Sequence, residues 1–288
     1  MTESQGCPNH QTAPTAEQRF PYHCAVLSVP DLGVARAPGP GLGNLLFPIA
    51  RALVGQQAMG GTFVFPTMRQ VKIGPYLRFE RDKRTYGDTL RRRSPGETAT
   101  WVKAAFLPKT GEGAATRSAK AIAYAGMADQ FHSLPDDPSL IRDFLLRASR
   151  RPMAKQSYDI AIHFRKGDFA APAQGHSGQS VQLPIEWYRA AYTKARDWLG
   201  KDNPSVVLFT DADPPATAAE LGIEAVQFEP PGNALTSLVA MSRAKVLIPS
   251  RSTFSLWAQY LGQSTTFWPE GFDLQTYKRV DPVVDLVV

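Results

Sequence analysis

Cysteine is scarce in this chain. Only Cys7 and Cys24 occur in 288 residues, both near the N-terminus and in no Cys-x-x-Cys pair. Two thiols cannot build a disulfide framework or a zinc cluster, so a reduced pair is the expectation. Long apolar runs are also missing. No stretch approaches the roughly 18 apolar residues of a membrane-spanning helix. Met1 to Phe20 is polar and lacks the apolar core of a secretory leader. A cytoplasmic protein is expected, with peripheral contact at the inner face of the membrane left open. No repeat of solenoid period is evident.

Charge is neither scarce nor extreme. Charged residues make up 20% and hydrophobic residues 43%, which argues against wholesale disorder. Lys plus Arg is 32 and Asp plus Glu is 26, a formal net charge of +6. That excess has an address. From Arg69 to Arg93 there are nine basic and three acidic residues, so the rest of the chain is balanced. A local basic patch suggests a phosphate-rich or acidic partner. It carries no zinc-finger, heptad or RNA-binding signature.

The length predicts one large domain or two modest ones. Residues 1–20 read as a flexible tail. Tyr22 to Val29 reads as a strand, and Pro38 to Asn44 as a rigid, turn-rich loop. Leu45 to Ala58 has helical periodicity, ended by Gly60-Gly61. Thr62 to Phe65 reads as a buried strand. Thr67 to Lys120 yields no clear assignment. Pro135 to Pro138 is a turn and Ser139 to Ser149 a helix, with a domain boundary near Pro152. The second half alternates. Strands are expected at Tyr158 to Phe164, Val206 to Thr210, Ala225 to Phe228, Lys245 to Ile248 and Thr265 to Trp268. Helices are expected at Glu186 to Leu199, Ala234 to Ala244 and Phe254 to Leu261. Such alternation implies an α/β fold with a parallel sheet.

In open α/β sheets, ligands bind at the carboxyl ends of the strands. Three strands here end in polar residues. His163 and Arg165 are two apart and share a strand face. Arg165 brings a planar fork suited to phosphate oxygens. Gly167 lets the backbone turn, and Asp168 can hold Arg165 or accept from a hydroxyl. A surface turn with a solvated ion pair uses the same residues. Phe209-Thr210-Asp211-Ala212-Asp213 brings carboxylates that can bind a ribose, a base or a metal, or simply cap a helix. Ser250-Arg251-Ser252-Thr253-Phe254-Ser255 runs from a strand into a helix. Ser252 or Thr253 is the expected N-cap, and a helix N-terminus with hydroxyls is an anion site. Gly41-Leu42-Gly43-Asn44 is neither a P-loop nor a complete Gly-x-Gly-x-x-Gly, and a tight loop explains it nearly as well.

Taken together, the order and wording of these segments resemble a family. Gly41-Leu42-Gly43-Asn44-Leu45-Leu46-Phe47 resembles the Gly-Leu-Gly-Asn-Gln-x-Phe signature of the α-1,2-fucosyltransferases. His163-Phe164-Arg165-Lys166-Gly167-Asp168-Phe169 resembles a His-x-Arg-Arg-Gly-Asp-Tyr motif. That motif is shared more widely with the α-1,6- and protein O-fucosyltransferases. Phe209-Thr210-Asp211 resembles Phe-Ser-Asp. Met241-Ser242 followed by Ser252-Thr253-Phe254-Ser255-Leu256-Trp257 resembles the Met-Ser and Ser-Ser-Phe-Ser-Trp-Trp block. The matches keep family order from residue 41 to 262. Nothing in 67–155 matches.

The resemblance implies a GT-B-like glycosyltransferase with two Rossmann-like domains facing each other across a cleft. Residues 21–152 would form the acceptor side and 153–288 would bind the nucleotide sugar. It implies an inverting transfer of L-fucose from GDP-fucose to a glycan or lipid-linked oligosaccharide, with no metal and no other cofactor. Arg165 would bind the donor pyrophosphate beside His163, and Asp211 would contact the nucleotide. Ser252, Thr253, Phe254 and Ser255 would frame the phosphates. Gly41, Gly43 and Asn44 would approach from the other domain. Catalytic roles fall to Arg165, His163, Asp168 and Asn44. The chain departs from the pattern at Lys166, Leu45, Ala212 and Arg251. Lys166 keeps the charge of the usual second Arg but not its fork. Arg251 adds a cation near the proposed phosphate site. These departures leave open another donor such as GDP-mannose. A polyanion-binding protein working through residues 69–93 is the reading from a different class.

Overall fold

The computed structural model describes residues 26–32, 35–36, 41–69, 71–72, 86–115, 119–153, 155–166, 182–229 and 232–288. In the first half these form β1 (Leu27–Asp31), β2 (Ala35–Arg36), α1 (Leu42–Met59), β3 (Thr62–Phe63) and β4 (Val71–Lys72). Next come α2 (Pro95–Phe106), β5 (Lys109–Gly111), β6 (Ala121–Ala125) and α3 (Ser139–Ala148). The second half runs β7 (Ile160–Phe164), α4 (Ile185–Leu199), β8 (Val206–Thr210), α5 (Pro214–Leu221) and β9 (Val226–Phe228). It ends with α6 (Ala234–Met241), β10 (Val246–Ile248), α7 (Thr253–Gly262), β11 (Thr265–Trp268) and β12 (Asp285–Val287).

The fold is α/β, as expected. Its two main sheets have the orders β3-β1-β6-β5 and β12-β11-β10-β7-β8-β9, and β2 pairs with β4. All their pairings are parallel. The six-stranded order is the doubly wound one. The chain builds outward from β7 to β8 and β9, then returns to the other side of β7 as β10, β11 and β12. The direction reverses between β7 and β10, and that is where such sheets open a ligand crevice. Every residue of β7 is buried, as a parallel strand covered on both faces requires.

The first sheet uses residues before 126 and the second residues after 159. Helices join them. Phe47 of α1 packs on Phe131 and on Trp257 of α7, with ring centroids 4.9 and 5.0 Å apart. Arg51 of α1 is 4% exposed and fixes the first half internally. It donates to Glu112 at 2.9–3.1 Å and to the carbonyls of Ala125, Gly126 and Ala128.

Three local differences from the sequence reading have physical causes. The helix expected from Leu45 starts at Leu42, so Leu42 to Asn44 are its first turn and not part of the loop. Gly41 is the N-cap, with no side-chain cap. The helix ends at Gly60, whose φ of 67° suits glycine. Of the expected 62–65 strand, Thr62 and Phe63 stand in register with β1 and Val64 N still donates to the Ser28 carbonyl at 2.9 Å, while Phe65 is buried beyond its end. The unassigned middle holds α2, opened by a capping box: Ser94 Oγ accepts from Glu97 N, and Glu97 Oε2 accepts from Ser94 N. Residues 1–25 lie outside the described residues, including both cysteines, the tail and the first half of the first expected strand. Among the described residues no helix is long and apolar enough to cross a membrane.

Candidate active site

A cavity of about 400 Å³ opens at the switch point of the six-stranded sheet. Its floor is the carboxyl ends of β7 and β8. Three helix N-termini face it, represented by Leu42, Gly43 and Asn44 of α1, Ala234 of α6, and Thr253 and Phe254 of α7. Aligned peptide dipoles and free N–H groups favour an anion at the starts of α1 and α7, whereas at α6 the Asn233 side chain accepts from Leu235 N and Thr236 N.

His163 is the fourth residue of β7 and lines this cavity. Its Nδ1 lies 2.7 Å from Ser255 Oγ and 3.0 Å from Ser250 Oγ. Its ring packs on Phe254, centroid to centroid 5.4 Å. Burial, and then the charge of Arg165, lowers the imidazole pKa to about 3. The ring is therefore neutral at neutral pH. Its Nε2 has no hydrogen-bond partner among the described residues. The hydroxyls are ordered in turn: Ser250 N donates to Ser255 Oγ, and Ser252 caps α7 by accepting from Ser255 N. Ser255 is fully buried, so it supports His163 and does not itself line the cavity.

Arg165 lies just past β7 and lines the cavity. Its Nε is 3.8 Å from Asp211 Oδ2, and Asp211 Oδ1 accepts from the backbone N–H of Lys166 at 2.8 Å. Asp211 thus ties the turn after β7 to the end of β8. The helix-capping role open to this acidic pair falls to Asp213, which accepts from Ala216 N. Lys166 directs its ammonium to Glu220 of α5, 3.7 Å away, and does not line the cavity. Arg251 lines it, and its Nε is buried with no hydrogen-bond partner among the described residues. A buried donor left unpaired is one a ligand can satisfy. Gly167 and Asp168 lie outside the described residues.

Gly41, Gly43 and Asn44 arrive from the first half. Thr253 Oγ1 donates to Asn44 Oδ1 at 2.7 Å, and Trp257 Nε1 donates to the Gly43 carbonyl at 2.7 Å. A Cβ on Gly43 would lie 2.7 Å from Thr253 Oγ1 and 3.0 Å from Phe254 N. The second glycine of the Gly-x-Gly is therefore required by contact between two helix ends. Asn44 keeps its Nδ2 as a donor at the cavity wall.

Two further features lay outside the sequence reading. Glu229, one residue past β9, lines the cavity and accepts from Ser237 Oγ of α6. Burial raises its carboxyl pKa to about 7. The signal was available, because Glu229 follows a strand end as Asp211 does. Phe272 and Tyr277 form an aromatic wall, with Phe272 stacked between Trp268 and Tyr277 at centroid distances of 5.2 and 5.6 Å. That wall joins residues from beyond β11, where no motif pointed.

No protein-family model and no curated protein matches the chain. Several solved structures do. One is NodZ α-1,6-fucosyltransferase soaked with GDP-fucose, 15% identical with a TM-score of 0.42, covering 87% of this chain and 95% of that one. Fucosyltransferase NodZ from Bradyrhizobium gives 15% and 0.44, over 81% and 92%. POFUT1 in complex with GDP-fucose gives 14% and 0.40, over 85% and 97%. A likeness this loose concerns the course of the chain and bears on neither ligand nor reaction.

Proposed function

We propose that this chain is an inverting, metal-independent glycosyltransferase of GT-B-like organisation. It moves L-fucose from GDP-fucose to a glycan hydroxyl, in α-1,2 linkage as the Gly-Leu-Gly-Asn signature resembles. The domains divide near residue 152, with the donor on the second. One observation carries the reading. The N-termini of α1 and α7, Arg165 and the Nε of Arg251, unpaired among the described residues, converge on one cavity at the switch point of a doubly wound sheet. The motif resemblance supplies the choice of donor.

Transfer breaks the bond between the sugar's anomeric carbon and the diphosphate and forms one to the acceptor oxygen. Negative charge grows on the departing diphosphate. Arg165, Arg251 and the N–H groups at the start of α7 are fixed donors for that charge, usually the largest catalytic contribution. A neutral His163, held at Nδ1 by two serines, adds a hydrogen bond through Nε2 without a competing charge. The acceptor hydroxyl must lose a proton. Glu229 is suited to take it, because its proton affinity lies near neutrality. Asp211, the other described carboxylate that lines the cavity, is engaged with the Lys166 N–H and Arg165.

One observation favours a different donor. Lys166 points to Glu220, so this motif brings one guanidinium to the site where the family pattern carries two. GDP-mannose is the corresponding alternative. Thermal melts with GDP, GDP-fucose, GDP-mannose, UDP and CMP test both. Saturation at 100 times the dissociation constant stabilises by about 2.7 kcal/mol. GDP and GDP-fucose are expected to raise the melting temperature, while UDP and CMP leave it unchanged. No response to any nucleotide removes the reading.

A further inference from the structure

A second cavity, of about 450 Å³, lies beside the first and belongs to none of the motifs. Five arginines line it: Arg69, Arg91, Arg92, Arg93 and Arg150. Among the described residues no carboxylate does. Arg91 is neutralised, donating to both carboxylate oxygens of Glu97 at 2.7 and 2.8 Å. That hydrogen bonding holds Glu97 at about 2, so the pair stays ionised across the neutral range. Among the described residues no acid pairs with Arg69, Arg92, Arg93 or Arg150. Arg93 is positioned by its backbone neighbours: its Nε donates to the Phe65 carbonyl at 2.7 Å, and its guanidinium lies 4.7 Å from the Trp101 ring centre. Its Nη2 is buried and has no hydrogen-bond partner among the described residues.

The backbone that carries the wall is fixed. Arg91 N donates to the Ala148 carbonyl at 2.8 Å and Arg150 N to the Thr89 carbonyl at 3.0 Å. That short antiparallel pairing, at Leu90 and Ser149, sets Arg150 against the 91–93 run. Arg69, Arg92 and Arg150, which pair with no acid among the described residues, and Arg93, which feels Glu97 only at a distance, repel one another around one cavity unless an anion sits among them, and their forks match tetrahedral oxyanions. The cavity also adjoins the candidate active site. Tyr86 lines the first cavity and Gly87 the second. Asn233, which caps α6, holds this strip by donating to the Asp88 carbonyl at 2.9 Å.

We propose that this arginine-lined cavity binds a phosphate- or sulfate-class oxyanion carried by the acceptor. Its charge would anchor there while a hydroxyl reaches past Tyr86 into the transfer site. The acceptor assignment rests on the transferase reading; the anion site itself does not. The test is calorimetry on the full chain with GDP saturating, titrating pyrophosphate and, separately, sulfate. Pyrophosphate is expected to bind at one site, at least about tenfold more weakly in Arg92→Gln and in Arg150→Gln, each removing a charge-assisted donor. Lys194→Gln, a charge removed from exposed α4, is expected to leave it unchanged. Binding of pyrophosphate alone points to a diphosphate-bearing acceptor, and binding of both anions to sulfate as well. No binding of either anion, or equal affinity in the arginine variants, overturns the site. A short DNA duplex that binds more tightly than pyrophosphate, and is weakened by the same variants, overturns the acceptor assignment. Loss of GDP binding with pyrophosphate binding intact sinks the donor reading alone.

Discussion

Replacing Gly43 by alanine tests the junction on which the site depends. In an ordinary helix the change is favourable, by about 1 kcal/mol. Here the new Cβ would meet Thr253 Oγ1 at 2.7 Å and two backbone atoms, Phe254 N and Thr253 C, at 3.0 Å. The hydroxyl could turn away only by giving up its bond to Asn44. The backbone atoms belong to the first turn of α7 and cannot turn at all. Overpacking of this kind costs about 1–3 kcal/mol. A net loss of about 1 kcal/mol is expected, or roughly 2–4 °C in melting temperature for a protein of this size. GDP affinity should fall as well, since relief requires moving the α7 N-terminus out of register with Arg165. Gly96→Ala in α2, where a Cβ meets nothing within 4 Å, is the control and should not destabilise. Differential scanning fluorimetry with a GDP titration reads both quantities. A Gly43→Ala protein with unchanged melting temperature and GDP affinity would refute the reasoning.

Arg165→Ala should leave the fold intact and raise the transfer barrier by ~3 kcal/mol, more than a hundredfold in rate; near-wild-type turnover with labelled donor would sink its assignment. Glu229 gives two pH signatures of opposite sign. Its folded-state pKa is raised from 4.5 to about 7, so the folded chain holds this proton more tightly than the unfolded one. Its contribution to stability is present at low pH and is lost as pH rises from about 4.5 through about 7. A base must be ionised, so kcat/KM should rise over the upper part of that range. Glu229→Gln should flatten both profiles, and an activity limb that survives in it would mean another group takes the proton. Arg51→Ala should destabilise by about 3 kcal/mol in chemical denaturation, because it strands Glu112 and three carbonyls. A change below 1 kcal/mol would show that water replaces those bonds without loss.

Much of the second half was legible because a buried parallel strand announces itself. Ile160 to Phe164, Val206 to Thr210 and Thr265 to Trp268 are short apolar runs between turn residues, and each sits where the sequence puts it. The middle was not legible, for different reasons at each element. In α2 only Ala104 is buried and Trp101, Val102 and Phe106 are exposed, so its apolar residues mark no core-facing stripe. Its capping box, Ser94 to Glu97, was the usable signal. In β6, Ala121-Ile122-Ala123-Tyr124-Ala125 is rich in alanine, which favours helices. Its strand state is imposed by β1 and β5 on either side.

The site divides in the same way. His163, Arg165, Asp211 and Ser252 follow or end strands, and their placement in the cavity follows from the doubly wound order. Periodicity cannot tell which way a side chain turns at a strand's end. Lys166 and Arg165 are adjacent and charged alike, yet only Arg165 lines the cavity, because Asp211 holds the intervening turn. The +6 charge shows a similar division. Arg91 to Arg93 of the basic stretch gather around a cavity of their own with Arg69 and Arg150, separate from Arg165 and Arg251.

The most direct measurement is a crystal structure of the full chain with GDP. The diphosphate is expected over the first turn of α7, between Arg165 and Arg251, with the base toward Asp211 and the Phe272–Tyr277 wall. GDP seated instead among Arg69, Arg92 and Arg150, or bound nowhere at saturating concentration, would contradict that placement.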